Sequence, residues 1–239
     1  MDWHERQKLL KLAFPLDLRA ERAASEVQFG HIYRPTHDNT SWDSARFETS
    51  AHRWMQVGEP GFGVAIANDS TYGHDVTRQP RRGGGTITVL RQSLLRAPLF
   101  PDPDADQGEH DFRASFTIGA EIADAVREGY RLGIPLRSGP LGQGGAVVPL
   151  LSIDNPAVVI ETVKLAEDRS GDLVVRFYES LGARATAHVT FDVPATGIVE
   201  TDLLERELGE PTALVSTTES SAQLSLRPFQ LVTLRIARA

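Results

Sequence analysis

Two stretches of the chain hold side chains that together could bind a sugar or another polyol. Residues 34–48, RPTHDNTSWDSARFE, and residues 94–110, LLRAPLFPDPDADQGEH, combine aromatic, amide, guanidinium and carboxylate groups. An aromatic ring can stack on the apolar face of a sugar, and charged planar groups can hydrogen-bond its hydroxyls. Both stretches therefore predict a surface that recognises a polyhydroxylated compound.

The second stretch packs four carboxylates into the nine positions from Asp102 to His110. Closely placed carboxylates can act as general acid and base, or they can accept hydrogen bonds from sugar hydroxyls. A calcium loop is not predicted, because Pro103 interrupts the ligand spacing and no Glu stands at the closing position. The residues alone also allow a solvated acidic loop without a ligand.

Arg96 follows an apolar segment and precedes Pro98, which cannot donate a backbone hydrogen bond to a strand ladder. This order predicts an arginine at the end of a strand. Its planar fork could hold a carboxylate or several hydroxyl groups. The alternative, which the sequence leaves equally open, is an ion pair with Asp102 or Glu109.

The chain has three tryptophans, Trp3, Trp42 and Trp54. An exposed indole could stack on a sugar, but an indole beside arginine and phenylalanine is more often a core residue. We therefore expect the tryptophans in the core. Asn39 and Thr40 are predicted to form a turn in which their side chains bond the nearby backbone.

The histidines do not predict a metal site, because their spacing is irregular and no Glu-x-x-His pattern accompanies them. The candidates were His31, His37, His52, His74 and His110. The chain has no Cys, which excludes disulfides, thiol nucleophiles and thiolate ligands. The sequence also has no Gly-x-Ser-x-Gly elbow and no Walker loop, so it predicts no assembled nucleophile and no Gly-rich phosphate loop.

Charge and hydropathy exclude two classes of partner. A net charge of -7 argues against nucleic acid, which is bound by clustered Lys and Arg. No apolar run approaches the roughly 20 residues of a membrane-spanning helix, and the first residues lack the pattern of a signal peptide. Because a chain without Cys fits a reducing compartment, we expect a cytoplasmic protein.

Short apolar segments bounded by Gly, Pro, Asn or Asp predict an all-β fold. Helical periodicity is nearly confined to residues 122–132, which predict one short helix. The closing residues 224–236 alternate apolar and polar side chains and predict one long strand. The other predicted strands include residues 11–18, 26–29, 62–67, 86–90, 157–163, 172–178 and 187–191.

The same pattern divides the chain into two domains, residues 1–149 and 150–239. The boundary follows the Gly/Pro-rich residues 135–145, which would make a poor core element. The second domain is predicted to be a small antiparallel sandwich of immunoglobulin-like kind, and the first to be part of a larger sandwich. Since the chain opens within an apolar alternation, we expect a piece of a longer protein.

Taken together, several motifs resemble the C-terminal region of glycoside hydrolase family 38, the α-mannosidases of the cytosolic and bacterial branch. The resemblance runs over nearly the whole chain. Its carriers are Asp2–Glu5, Phe29–His31, Arg34–Asp43, Ala45–Glu48, Asn68–Asp69, Tyr72–Gly73, Ser93–His110, Arg176–Gly182 and Arg227–Gln230.

The resemblance implies a large antiparallel β-sandwich of the galactose-mutarotase-like supersandwich type, followed by the small terminal sandwich. Members of the family are retaining exo-mannosidases with an Asp nucleophile and a divalent metal, usually zinc. These groups belong to an N-terminal α/β domain followed by a helical domain, and no motif here matches either. The resemblance therefore assigns this chain no catalytic residue, metal ligand or cofactor. It places Arg96, Asp106, Gln107 and His110 at the rim of the substrate site.

Three hypotheses follow for the function. In the first, the chain is the C-terminal part of an enzyme that hydrolyses terminal α-mannosyl residues in glycans. It would pack against the missing α/β and helical domains and be inactive alone, and it could form a homo-oligomer. In the second, the chain is a free-standing carbohydrate-binding module. In the third, it is a structural or oligomer-forming β domain.

Overall fold

The computed structural model describes residues 1–136 and 148–238. The chain divides into two compact units, Met1–Leu136 and Arg137–Ala239, and each is described by itself. The predicted boundary rested on the Gly/Pro-rich residues 135–145. Of these, residues 137–145 lie outside the described residues. The boundary between residues 149 and 150 therefore stays a prediction.

The first unit is built from antiparallel strands in two main sheets and one strand pair. The larger sheet has the order β11-β7-β6-β3-β4, the second has the order β2-β9-β8-β5, and β1 pairs with β10. The strands are β1 (Asp2–Trp3), β2 (Leu10–Leu16), β3 (Arg22–Val27), β4 (Gly30–Pro35), β5 (Thr49–Ser50), β6 (Trp54–Glu59), β7 (Phe62–Asn68), β8 (Gly73–Pro80), β9 (Thr86–Leu95), β10 (Gly108–Glu109) and β11 (Ala114–Ile118).

The two main sheets pack face to face because alternate residues of their strands are apolar. Val57 and Val64 of the larger sheet share a buried cluster with Leu16 and Leu90 of the second sheet. Side chains of a strand point alternately to opposite faces, so every second residue of these strands points away from the cluster. The predicted β-sandwich class is confirmed for this unit.

The first unit also contains two helices, whereas one short helix was predicted. The predicted helix exists as α2 (Ile122–Gly133), and Asp124 accepts the backbone N–H of Glu121 to cap its first turn. The additional helix is α1 (Ser41–Ala45), which lies inside the first polar stretch. Its start is set by Thr40, whose hydroxyl accepts the backbone N–H of Asp43 at 3.0 Å. This contact confirms the turn role predicted for Thr40.

Helix α2 is attached to the larger sheet by an aromatic and charged contact. The guanidinium carbon of Arg53 lies 3.8 Å from the ring centre of Tyr130, and Arg53 Nε donates to Glu26 Oε1 at 3.0 Å. Gly129 allows the helix to approach closely, because a Cβ there would lie 2.9 Å from Cδ1 of Trp54. The helix therefore rests against a buried indole.

The second unit is a sandwich of two four-stranded antiparallel sheets in its described part. The sheet orders are β12-β15-β18-β17 and β13-β14-β19-β16. Phe177, Val189, Leu224 and Leu234 are among the fully buried side chains between them. The strands are β12 (Leu151–Ile153), β13 (Val158–Leu165), β14 (Leu173–Glu179), β15 (Ala185–Phe191), β16 (Ala195–Thr201), β17 (Leu214–Thr217), β18 (Ser221–Leu226) and β19 (Leu231–Arg238).

The prediction of one long strand over residues 224–236 is wrong. The segment forms the end of β18 and most of β19, which belong to different sheets and are separated by residues 227–230. Pro228 removes a backbone donor at this point, and Phe229 adopts a positive φ of 56°. The strand predicted over residues 26–29 is also misplaced, since β3 ends at Val27 and Phe29 has a φ of 57°.

A buried carboxylate holds the turn between β18 and β19. Glu179 Oε2 accepts the backbone N–H groups of Gly182 at 2.8 Å and Phe229 at 3.0 Å, and Oε1 accepts that of Leu181 at 2.8 Å. Buried backbone N–H groups that are not paired within a sheet need another hydrogen-bond acceptor. The carboxylate of Glu179 is that acceptor. Glu179 thus joins two chain segments, and it forms no ion pair with any residue that the structure describes.

Neither described helix is long and apolar enough to cross a membrane.

Candidate functional site

A surface pocket of the first unit lies where β9 ends. It has a volume of about 910 Å³ and is lined by two of the four predicted site residues, Arg96 and Asp106. The wall opposite the end of β9 includes Phe47 and Glu48, from the last part of the first polar stretch. The structure therefore brings the two polar stretches together at one pocket.

Arg96 is the first residue after β9 and its side chain is exposed at this pocket. Among residues 1–136 and 148–238, its guanidinium forms no ion pair, so the alternative pairing with Asp102 or Glu109 is not formed. An arginine without a carboxylate partner keeps its donors for hydroxyl or carboxylate groups of a ligand. Arg96 is therefore the predicted residue whose functional group remains accessible.

Asp106 holds the backbone that carries Arg96. Its Oδ2 accepts the backbone N–H groups of Arg96 and Ala97, both at 2.8 Å. These bonds from Ala97 and Arg96 lower the pKa of the Asp106 carboxyl from its ordinary value. An acid with a lowered pKa is ionised near neutral pH and cannot act there as a general acid. Asp106 is therefore a positioning residue in this pocket.

Gln107 and His110 fix the acidic loop to other parts of the backbone. Gln107 Nε2 donates to the carbonyl of Glu5 at 2.9 Å, and His110 Nε2 lies 2.9 Å from the carbonyl oxygen of Asp106. The His110 ring also stacks on Phe112 with ring centres 5.8 Å apart. Neither residue is among those that line the pocket, and the side-chain hydrogen bonds of both are with backbone carbonyls.

Glu48 is a pocket residue that sequence reasoning did not single out. Its Oε2 lies 3.5 Å from Lys11 Nζ, and Lys11 Nζ lies 2.5 Å from Asp75 Oδ2. Gly73 makes room for the carboxylate, since a Cβ at this position would lie 2.3 Å from Glu48 Oε1. The sequence contained Glu48 within its first polar stretch, but only the fold shows which residue of that stretch reaches the pocket.

Ser93 supplies a further polar group. Its Oγ is buried and has no hydrogen-bond partner in the part of the chain that the structure describes, and the residue lines the pocket. A buried hydroxyl without a partner is uncommon, because leaving it unpaired costs about 1–3 kcal/mol. It is a donor or acceptor available at the pocket wall.

The aromatic side chains of the pocket are phenylalanines. Phe47 is 76% exposed and Phe100 is 86% exposed. The tryptophans were expected in the core, and this is confirmed for Trp54, which is fully buried. It is wrong for Trp42 on α1, which is 70% exposed and lies under the guanidinium of Arg46.

The resemblance places the zinc of the family in a domain outside this chain. Among the described residues there is no group of three or more His, Asp and Glu side chains placed to hold a metal ion. His74, one of the histidines considered in the sequence, is buried, and its Nδ1 lies 3.0 Å from the carbonyl oxygen of Tyr72.

The pocket has the elements of a polyol-binding surface. Arg96 offers several N–H donors, Glu48 offers acceptors, and two exposed rings can contact the apolar face of a sugar. Hydrolysis by a retaining glycosidase requires a nucleophilic carboxylate and a second carboxyl group that acts as an acid. Asp106 is committed to two backbone N–H groups, so the arrangement supports binding and not complete catalysis.

Two family models match the chain. "Glycosyl hydrolases family 38 C-terminal domain" matches residues 1–104, and "Glycosyl hydrolases family 38 C-terminal beta sandwich domain" matches residues 157–234. Each match lies within one of the two structural units. The first match includes Arg96, and the second includes the turn held by Glu179.

Several curated relatives are similar over nearly the whole chain. Alpha-mannosidase 2C1 of Homo sapiens is 40% identical over 243 residues, which are 97% of this chain and 22% of the relative. Alpha-mannosidase G of Dictyostelium discoideum is 35% identical and covers 98% of this chain and 21% of its own length. Alpha-mannosidase of Saccharomyces cerevisiae is 31% identical over 98% of this chain and 23% of the relative. The chain thus spans about a fifth of the length of these relatives.

A solved structure has the same fold. The crystal structure of an α-mannosidase from Enterococcus faecalis V583 matches with a TM-score of 0.73 at 20% identity, over 95% of this chain and 25% of that one. A second structure from Enterococcus faecalis, a protein in glycosyl hydrolase family 38, matches with a TM-score of 0.71 at 19% identity. At this level of identity the two structures support the fold alone.

Proposed function

Because the chain belongs to glycoside hydrolase family 38 through its two C-terminal domains, we propose that it is the C-terminal β region of an exo-acting retaining α-mannosidase. The whole enzyme would hydrolyse terminal α-mannosyl residues of glycans. Within it, this region would contribute domain packing and one edge of the substrate site. The observation that carries the proposal is the accessible guanidinium of Arg96 in a pocket that also holds two exposed phenyl rings.

In this proposal Arg96 hydrogen-bonds hydroxyl groups of the substrate, and Asp106 positions Arg96 through the backbone. Gln107 and His110 support the loop that carries Asp106. The nucleophile and the divalent metal would be held by an α/β domain outside this chain, accompanied by a helical domain. A cytoplasmic location and assembly into a homo-oligomer belong to the same proposal.

The test compares the chain alone with the whole protein of which it would be a part. The chain alone, incubated with an aryl α-mannoside and zinc, should release no product, because it has no complete pair of catalytic carboxylates. Turnover by the chain itself would overturn the assignment of catalysis to other domains.

In the whole protein, Arg96→Gln should lower kcat/KM for the aryl α-mannoside about 10- to 100-fold, which corresponds to the loss of a charged hydrogen bond. The matched control is Arg82→Gln, which removes an exposed arginine of the Arg81–Gly85 loop and should leave kcat/KM unchanged. Equal activities of the two variants would contradict a substrate contact by Arg96.

The exposed rings of Phe47 and Phe100 favour a second candidate, a carbohydrate-binding module that works unaided. Calorimetric titration of the chain with mannose and mannobiose distinguishes the two. A module binds these sugars by itself, whereas one edge of a larger site should show little affinity because most of its contacts are elsewhere.

A further inference from the structure

A second pocket of the first unit collects arginines at the edge of the sandwich. It has a volume of about 300 Å³ and is lined by Arg34 of β4, Arg46 after α1, Arg78 of β8 and Arg91 of β9. Its acidic neighbours are Asp38, Asp43 and Asp75, and His37 also lies at its wall. The balance of charge in the pocket depends on which arginines the carboxylates already neutralise.

Two of the four arginines are paired. Arg46 Nη2 lies 2.8 Å from Asp43 Oδ1, and Arg91 Nε lies 2.7 Å from Asp75 Oδ1. Asp75 also binds Lys11, so its charge is shared between two cations. These contacts use two of the three carboxylates of the pocket. The third, Asp38, is exposed to solvent, where its effect is screened.

The other two arginines have no carboxylate partner in the described ranges. Arg78 Nε donates to two neutral oxygens, Thr36 Oγ1 at 2.8 Å and the carbonyl of Ala20 at 3.2 Å. Arg34 Nη1 is buried without any hydrogen-bond partner. Burial and the nearby charge of Arg46 lower the pKa of Arg34, yet a guanidinium remains charged at neutral pH. A buried N–H donor of a cation without a partner is costly and indicates a place for an anion.

Neutral donors complete the set. Ser25 is fully buried, its Oγ has no partner among the described residues, and it lines a small cavity of about 30 Å³ together with Arg34 and Arg46. Thr77 lines the pocket of about 300 Å³, and its buried Oγ1 likewise has no partner among the described residues. Hydroxyl and guanidinium donors on β4, on β8 and after α1 thus line the pocket, and Arg34 and Arg46 also line the small cavity of Ser25.

We propose that this pocket binds a phosphate group, with Arg34 as the central contact and Arg46, Arg78 and Thr77 as further donors. A tetrahedral dianion accepts hydrogen bonds from several directions, which suits donors on separate elements, and arginine forks match phosphate oxygens in pairs. The pocket is larger than a phosphate group, so a small esterified group can fit beside it. This inference goes beyond the proposed function and does not depend on it.

The test is calorimetric titration of the 239-residue chain at constant ionic strength, with inorganic phosphate in one arm and glucose 6-phosphate in the other. We expect one binding site with a Kd on the order of 0.1–1 mM for at least one of the two probes. Tighter binding of glucose 6-phosphate identifies a phosphate ester as the ligand, and equal binding identifies free phosphate. Sodium chloride at matched ionic strength separates specific binding from general screening.

Arg34→Gln should weaken binding at least about tenfold, as expected for a charged hydrogen bond, while Arg82→Gln should have no effect. Tryptophan emission, to which the buried Trp54 contributes, checks that Arg34→Gln is folded. If it does not fold, the exposed Arg46→Gln takes its place and should weaken binding about threefold to tenfold. No heat with either probe up to about 10 mM, or equal affinity in all folded variants, overturns the proposal and leaves bound water as the partner of Ser25 and Arg34.

Discussion

The carboxylate of Asp106 accepts the backbone N–H of Arg96 at 2.8 Å, ten residues earlier in the chain. The same oxygen also accepts the N–H of Ala97, which has a φ of 45°. The end of β9 is therefore held in a conformation that few residues other than glycine adopt by themselves. The direction in which Arg96 leaves the sheet depends on a carboxylate oxygen that binds the backbone.

The first prediction concerns this pair of bonds. Asp106→Asn should lower the free energy of unfolding of the first unit by about 1–2 kcal/mol, because a neutral oxygen accepts backbone N–H groups less strongly than a carboxylate. All three tryptophans lie in the first unit, so urea unfolding followed by tryptophan emission reports on it. The matched control is Asp111→Asn, an exposed carboxylate with no hydrogen bond to the described residues, which should change the unfolding midpoint little.

The contribution of Asp106 should also depend on pH. Because its pKa in the folded state is lowered, the stabilisation is fully present above the unfolded value of about 3.9 and is lost as the pH falls through the folded pKa. The difference between wild type and Asp106→Asn should therefore shrink in acid. A difference that stayed constant down to the lowest pH would contradict the role of the ionised carboxylate.

The second prediction concerns the approach of α2 to the sheet. Gly129→Ala should lower the free energy of unfolding by about 1–2 kcal/mol, although alanine is the better helix former, because the new methyl group overlaps Trp54 and Cβ of Arg53. In the same helix Gly133→Ala meets only Cδ of Arg53 at 3.9 Å and should be neutral or slightly stabilising. Equal free energies of unfolding for the two variants would contradict the close packing of Gly129 against Trp54.

The third prediction concerns a buried carboxylate of the second unit. Glu200 Oε2 accepts the backbone N–H groups of Thr212 at 3.0 Å, Ala213 at 2.9 Å and Leu214 at 2.8 Å. Burial by itself would raise the pKa of Glu200, but the hydrogen bonds from these residues outweigh it and lower the pKa. Glu200→Gln should cost about 2–3 kcal/mol of local stability, since it weakens charge-assisted bonds to buried donors.

Hydrogen exchange measured by mass spectrometry checks this directly. In Glu200→Gln the amides of residues 212–214 should exchange about 30- to 150-fold faster, the factor that corresponds to 2–3 kcal/mol. Glu210→Gln, which changes an exposed side chain nearby, serves as the control and should leave their exchange unchanged. Unchanged protection in Glu200→Gln would show that other contacts hold this segment.

The fourth prediction concerns His74. Burial lowers its pKa in the folded state, so the unfolded chain binds a proton at a higher pH than the folded one. The stability of the first unit should therefore be complete above pH of about 6.5 and should fall below it, by at most about 1.4 kcal/mol per pH unit. Urea midpoints from tryptophan emission at pH 7.5 and 5.5 measure the change.

His74→Gln should unfold at lower urea but with a smaller difference between the two pH values. His188→Gln, which alters an exposed histidine of the second unit, should keep the wild-type difference. A wild-type pH dependence that persisted in His74→Gln would assign the proton uptake to another group.

The local sequence pattern was sufficient to predict the helix α2. The helix over residues 122–132 could be predicted because its apolar residues recur at helical spacing and nothing in its interior interrupts it. The long strand over residues 224–236 was predicted because alternation continues on both sides of Arg227–Gln230. Pro228 was a local sign of the break, since proline cannot donate to a strand ladder. The carboxylate that holds the turn belongs to Glu179, which is fifty residues away from Phe229 in sequence, and a contact of that range leaves no local pattern.

Among the pocket residues, too, a local sequence pattern predicts some and not others. Arg96 could be predicted as a strand-end arginine from Pro98, because proline limits backbone pairing within a few residues. The participation of Glu48 and Ser93 could not be predicted, since it depends on Gly73 allowing one strand to lie beside a carboxylate from another part of the chain. The family resemblance placed Asp106 at the rim of the substrate site, whereas the structure shows that its Oδ2 accepts two backbone N–H groups.

The acidic residues that bind the backbone change the meaning of the net charge. Asp106, Glu179 and Glu200 each accept two or more backbone N–H groups, and among the described residues none of them forms an ion pair with an arginine or lysine. Each therefore adds a negative charge to the total without neutralising an arginine of the described ranges. In this protein with an isoelectric point near 5.5, Arg34 and Arg96 are likewise left without a carboxylate partner among those residues. At neutral pH the whole molecule should be retained by an anion-exchange resin and migrate to the anode.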